Sequence, residues 1–118
     1  MNFMIVDDDI DMAHFILETL KVGGISCDIA ESAETAHKLF VLNDYDALIV
    51  DAILPGESGI SLVRELRMIN QHIPVLFCTG ANDEFNKKLM WSMGLVCHKP
   101  LDESFLMIVR RFIQTFPK

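Results

Sequence analysis

The amino-acid sequence predicts an α/β fold, a doubly wound five-stranded parallel sheet of order 2-1-3-4-5 in a single domain covering residues 1–118. Three observations carry this. Short apolar runs without polar alternation read as strands buried on both faces. Between them, apolar residues recur at three and four, the period of a helix with one buried stripe. The two patterns alternate five times with short connections, which calls for parallel strands joined by right-handed helical crossovers.

Each element has its own local reason. Residues 3–6 (FMIV) are wholly apolar and stop at three aspartates. Over 10–22 the stripe is Ile10, Ala13, Ile16, Leu17 and Leu20, and Gly23-Gly24 ends the helix. A strand at 27–30 leads to a helix opened by Ser32, with Ala33, Ala36, Leu39 and Phe40 inward and an end near Asn43. Residues 47–50 (ALIV) are a strand stopped at Asp51. After a loop carrying Pro55, Gly56 and Gly59 comes a helix over about 58–69, built on Leu62, Val63, Leu66 and Ile69. A strand at 75–78, a helix at 83–93 closed by Gly94, a short strand at 96–97 and a helix at 102–116 complete the series.

In a sheet of this order, ligands sit beyond the carboxyl ends of the strands where the winding reverses, between the first and third. That rim collects Asp7 and Asp8 from the first strand, Asp51 from the third, Thr79 from the fourth and Lys99 from the fifth. Three carboxylates so close repel unless a cation joins them. Mg2+ suits the place, since it prefers oxygen donors, keeps several waters and takes one or two carboxylates together with phosphate oxygens. The set points to phosphoryl transfer, with Asp51 as nucleophile, the ion neutralising one phosphoryl oxygen, and Lys99 and Thr79 holding the others. An ionised carboxylate has no proton to lose, so no protein base is required.

Composition narrows the remaining classes. A net charge of −7 has the wrong sign for neutralising phosphate backbones, so direct nucleic-acid binding is not expected. The apolar runs fall far short of the ~20 residues that cross a bilayer. No basic flank or small-residue cleavage site marks a secretory signal at the start, so the expected location is cytoplasmic. Cys27, Cys78 and Cys97 are odd in number and far apart, which fits reduced thiols used as small hydrophobes.

Four segments then stand in order: MIVDDD at 4–9, DALIVDAILPGESG at 46–59, VLFCTG at 75–80 and HKPL at 98–101. With them the chain resembles, over its whole length, a receiver domain of a bacterial two-component response regulator, a flavodoxin-like (βα)5 fold similar in extent to single-domain chemotaxis regulators. The resemblance implies that Asp51 takes a phosphoryl group from the phosphohistidine of a sensor histidine kinase or phosphotransfer protein. It implies that Asp8 ligates Mg2+ directly, Asp7 through water and Ile53 by its backbone carbonyl. Thr79 and Lys99 would contact the phosphoryl group and couple it to the face of the fourth helix, fifth strand and fifth helix, where a downstream protein docks. Such a chain is a phospho-acceptor that catalyses only its own phosphorylation and slow dephosphorylation. A cis bond between Lys99 and Pro100 is also implied.

Three departures from the family pattern qualify this. Val96 stands three before the lysine, where an aromatic usually follows the threonine. The stretch between the fourth helix and Lys99 is about two residues short and has Leu95 where an acid is common, which argues against the charge-paired dimer of one large subgroup, although Arg110 and Arg111 remain available. Ile53 and Ala81 occupy the two positions that modulate hydrolysis, and neither orients a water, so a long-lived phosphoryl state is expected.

Blander and competing readings stand beside these. Asp9 and Asp11 read as acids at a helix N-terminus. The match of Asp7, Asp9, Asp11 and Glu18 to a calcium loop fails at Met12, where glycine must turn the chain. His14, His37, His72 and His98 have no ligand spacing. Leu89, Met90, Trp91 and Met93 cannot all face inward, and the last helix carries a similar apolar surplus from Phe105 to Phe116, so a partner or homodimer surface is expected there. A pseudo-receiver interaction module without phosphorylation, or a haloacid dehalogenase-type phosphatase using Asp7 of Asp7-x-Asp9, are the alternatives, the second opposed by length.

Overall fold

The computed structural model describes residues 1–80 and 84–117. Five strands form one parallel sheet: β1 (Asn2–Val6), β2 (Ser26–Ala30), β3 (Ala47–Val50), β4 (Val75–Thr79) and β5 (Leu95–His98), in the order β2-β1-β3-β4-β5. The helices between and after them are α1 (Ile10–Val22), α2 (Ala33–Leu42), α3 (Gly59–Ile69), α4 (Glu84–Met93) and α5 (Phe105–Gln114). This is the doubly wound sheet that the alternation predicts.

Why the strand runs lack alternation is visible in the two cores. Met4, Val6, Leu48, Val50, Val75 and Phe77 point into one apolar layer with α2 and α3, while Phe3, Ile5, Ala47, Ile49, Leu76 and Cys78 point into the other with α1 and α5. Successive side chains of a strand face opposite ways, so a strand covered on both sides must be apolar at every position. Edge strand β2 is covered less and reads as a weaker run.

Side-chain caps set the helix starts. Asp9 Oδ1 accepts from the Met12 amide, Ser32 Oγ from Thr35 and Ser58 Oγ from Ser61, each satisfying a donor that the helix leaves unpaired. The end of the chain differs from expectation. Helix α5 begins at Phe105 rather than 102 because Asp102 Oδ1 accepts from both the amide and the hydroxyl of Ser104, folding 102–104 into a turn. It stops at Gln114, where Thr115 and Phe116 bond three residues back. Strand β5 is longer than the two residues expected, since Leu95 and His98 also pair with β4. Only Gly94 separates α4 from β5, and a Cβ there would lie 2.3 Å from the Val75 carbonyl, so glycine allows this short connection. The expected α4 start at Asp83 lies outside the described residues.

A feature without a sequence forecast is a small antiparallel ribbon after β3, pairing Ile53–Leu54 with Glu57–Ser58. Pro55 and Gly56 turn it, with Gly56 at φ 76°, where a side chain would be strained. The ribbon matters because it walls the rim of the sheet beside Asp51.

Candidate functional site

Sheet pairing runs on to the ends of the strands and thereby places the acids. The Asp51 amide donates to the Val6 carbonyl at 2.9 Å and the Asp7 amide to Ala30 at 3.1 Å, so the two carboxylates leave neighbouring strand ends. Lys99 arrives from beyond β5, its amide bonded to the Thr79 carbonyl at 2.9 Å. The Lys99–Pro100 bond is cis.

Each central carboxylate is held at both oxygens. Lys99 Nζ donates to Asp7 Oδ2 at 2.9 Å and to Asp51 Oδ2 at 3.0 Å. The Asp9 amide donates to Asp7 Oδ1 at 2.9 Å and the Ile53 amide to Asp51 Oδ1 at 3.1 Å. Asp7 is only 1% exposed, whereas Asp8 stands in solvent, and carboxylate oxygens of Asp7, Asp8 and Asp51 lie within 4.8 Å of one another. Burial pushes the Asp7 carboxyl above its ordinary range, against the hydrogen bonds from Lys99 and the Asp9 amide, and the charge of Asp51 adds to the rise. Burial alone would lower the Lys99 ammonium, but its bonds to Asp7 and Asp51 outweigh that and hold it above the ordinary lysine value.

With one ammonium against three carboxylates, the cluster remains anionic. Its donors are all oxygen, and it faces an open cleft lined by Asp8, Asp51, Ile53, Leu54, Pro55, Gly80 and Lys99. Oxygen donors with room for waters are what a hard dication of the Mg2+ type takes, so the residues fit that ion.

Of the residues singled out in the sequence, the structure brings Asp7, Asp8, Asp51 and Lys99 together and sets Ile53 at the same cleft, 63% exposed. Thr79 ends the adjacent strand fully buried, and Gly80 lines the cleft at that point. Ala81 lies outside the described residues. Val96 is buried in the layer with α2 and α3, and Leu95 packs partly buried on the other. Among the described residues Trp91 (53% exposed) and Met107 (60%) are the open apolar side chains of α4 and α5, whereas Leu106, Ile108 and Ile113 are half-buried, so the surplus on the last helix is mostly absorbed by packing.

One residue of the site escaped the sequence reading. A Cβ on Gly59 would sit 2.1 Å from the Asp51 carbonyl oxygen and 2.9 Å from Val50 Cγ1. Gly59 therefore lets α3 start directly against the backbone that carries Asp51, and its amide donates to Ala52. Its signal was present as a glycine following a capping serine, eight residues after an acid at a strand end.

The family model described as "Response regulator receiver domain" matches residues 3–109. The phosphate regulon transcriptional regulatory protein PhoB of Pseudomonas aeruginosa is 35% identical over 73% of this chain and 38% of its own length; the chain spans about a third to a half of the curated relatives it matches. Among solved structures, the non-phosphorylated HemR receiver domain of Leptospira biflexa superposes with a TM-score of 0.89 at 22% identity, covering 99% of this chain and 97% of that one. The response regulator TrrA of Thermotoga maritima, in complex with Mg2+ and BeF, gives 0.82 at 24%, covering 94% and 97%. At these identities the two structures speak for the fold.

Proposed function

The chain belongs to the response regulator receiver family, the receivers of two-component signalling, and from that membership we propose that Asp51 is its phospho-acceptor and residues 1–118 one receiver domain. The observation that carries the proposal is the Lys99 ammonium shared between Asp7 and Asp51, beside the exposed Asp8. Asp51 lines the open cleft with the Ile53 amide on one oxygen and the Lys99 ammonium on the other, so a phosphoryl group can approach without a proton being removed. Asp7, Asp8 and Asp51, with the Ile53 carbonyl, would hold Mg2+, which supplies charge neutralisation at the phosphoryl oxygens. Lys99 would exchange its bond to Asp51 for one to the added phosphoryl group, and Thr79 would supply a hydroxyl at the end of β4.

The donor is taken to be a histidine kinase or phosphotransfer protein, and the output a downstream protein at the α4–β5–α5 face, where Trp91 and Met107 are open. With Val96 buried in place of the usual aromatic, switching there would rest on other side chains. Exposed Ile53 offers no group to orient a water, which supports a long-lived phosphoryl state. The three free thiols favour a reducing compartment, in keeping with a cytoplasmic location; among the described residues no helix is long and apolar enough to cross a membrane. A phosphatase built on Asp7 finds no support, because Asp7 is buried and, unlike Asp51, does not line the cleft.

A ligand bound only by the folded chain raises its melting temperature. Millimolar Mg2+ should therefore stabilise the protein measurably in differential scanning fluorimetry, and Asp8→Asn and Asp51→Asn should each shrink that shift. A wild-type melting curve indifferent to Mg2+ would show that the acidic cluster is not a metal site.

A further inference from the structure

Away from the cluster of Asp7, Asp8 and Asp51, three residues from three different elements converge: His37 of α2, Glu57 of the ribbon and Glu65 of α3. One ligand atom from each lies within 4.8 Å of the others, and His37 Nε2 is 2.5 Å from Glu65 Oε2. We propose that His37, Glu57 and Glu65 form a second cation site, for a first-row transition-metal dication of which Zn2+ is the type.

Two facts separate this cluster from an ordinary surface ion pair. Glu57 Oε1 is buried from solvent and accepts no hydrogen bond, an expensive state for a carboxylate oxygen unless a further ligand meets it. The two glutamates also converge, with one carboxylate oxygen of each and a His37 ring nitrogen within 4.8 Å of one another, and the nearby Glu65 holds the Glu57 carboxyl above the usual carboxylate range, so like charges meet where a cation could join them. The His37–Glu65 pair alone would not account for the arrangement, because it leaves Glu57 without a role. An imidazole nitrogen with two carboxylates, and solvent on the His37 and Glu65 side, is a donor set of zinc sites that keep an open position. The nitrogen distinguishes it from the all-oxygen cluster at Asp51, which suits Mg2+. Such an ion would tie α2, the ribbon and α3 together. The ribbon strand facing Glu57 carries Ile53 and Leu54, which line the Asp51 cleft.

The inference does not depend on the role of Asp51, and its test keeps the two apart. Zn2+ is titrated calorimetrically at neutral pH into the metal-free, untagged chain and into His37→Gln, Glu65→Gln and Asp51→Asn, each checked for folding by circular dichroism. Whatever Zn2+ the Asp51 cluster also takes up, a saturable site is expected that is weakened at least about tenfold in His37→Gln and in Glu65→Gln and persists in Asp51→Asn. No saturable binding below about 1 mM, or a loss confined to Asp51→Asn, overturns the proposal. A readout on the wild type alone guards against variants that fail to fold: paramagnetic Co2+ should broaden the His37 imidazole resonances before those of His14, His72 and His98. Broadening of any of those three first overturns it as well.

Discussion

Lys99 is the hinge of the charge balance at the rim. Among the described residues its ammonium is the single cation bonded to Asp7 and Asp51, and the side chains involved are 18%, 2% and 11% exposed. Removing one partner of so buried a set leaves an uncompensated charge, a loss on the order of 3 kcal/mol. Lys99→Met should therefore lower the unfolding free energy from urea denaturation by that amount in the absence of metal, and saturating Mg2+ should recover part of it; an unchanged free energy would mean that the ammonium contributes little. Cysteine chemistry offers a second residue-scale check. Burial, helped by the charge of Asp28, pushes the Cys27 thiol up to about 12. A raised value means thiol at neutral pH and thiolate only as pH approaches it. Alkylation of the Cys27 peptide by iodoacetamide, followed by mass spectrometry, should be slow at pH 8 and quicken about tenfold per pH unit towards that value; a rate already at plateau by pH 9 would contradict the burial.

The elements show which parts of the architecture local sequence encodes. Strands β1, β3 and β4 were legible because burial on both faces demands an unbroken apolar run, and α1 to α3 because Asp9, Ser32 and Ser58 mark their starts. The ends of α5 were not, since the Asp102–Ser104 turn satisfies backbone groups that a longer helix would have used. Of the site, Asp7, Asp8, Asp51 and Lys99 could be foreseen from their places at strand ends. Gly59 could not be assigned to it without knowing how closely α3 approaches β3, and the cluster of His37, Glu57 and Glu65 draws on positions up to 28 residues apart that share no linear spacing. The approach of α3 has a direct test. Gly59→Ala must push α3 away from the Asp51 carbonyl, with strain of about 1–3 kcal/mol. A lower urea midpoint and a smaller Mg2+ shift are both expected, and a variant equal to wild type in both would show that the contact yields freely.

At the scale of the molecule, one sheet performs two tasks. Its two apolar layers fix five strands in register, and the carboxyl ends of those strands then hold acids and a lysine in positions that their own repulsion and burial would oppose. The layer beneath supplies the free energy that keeps them there, so the rim is an anionic surface on an apolar base. Cation and phosphoryl group are the ligands that such a surface takes. The most direct measurement is incubation of the chain with a small-molecule phosphodonor and Mg2+, followed by peptide mapping of the modified residue. The account requires a phosphoryl group on Asp51, Mg2+-dependent and absent in Asp51→Asn; modification at another residue, or none under conditions where the chain is folded and binds Mg2+, would contradict it.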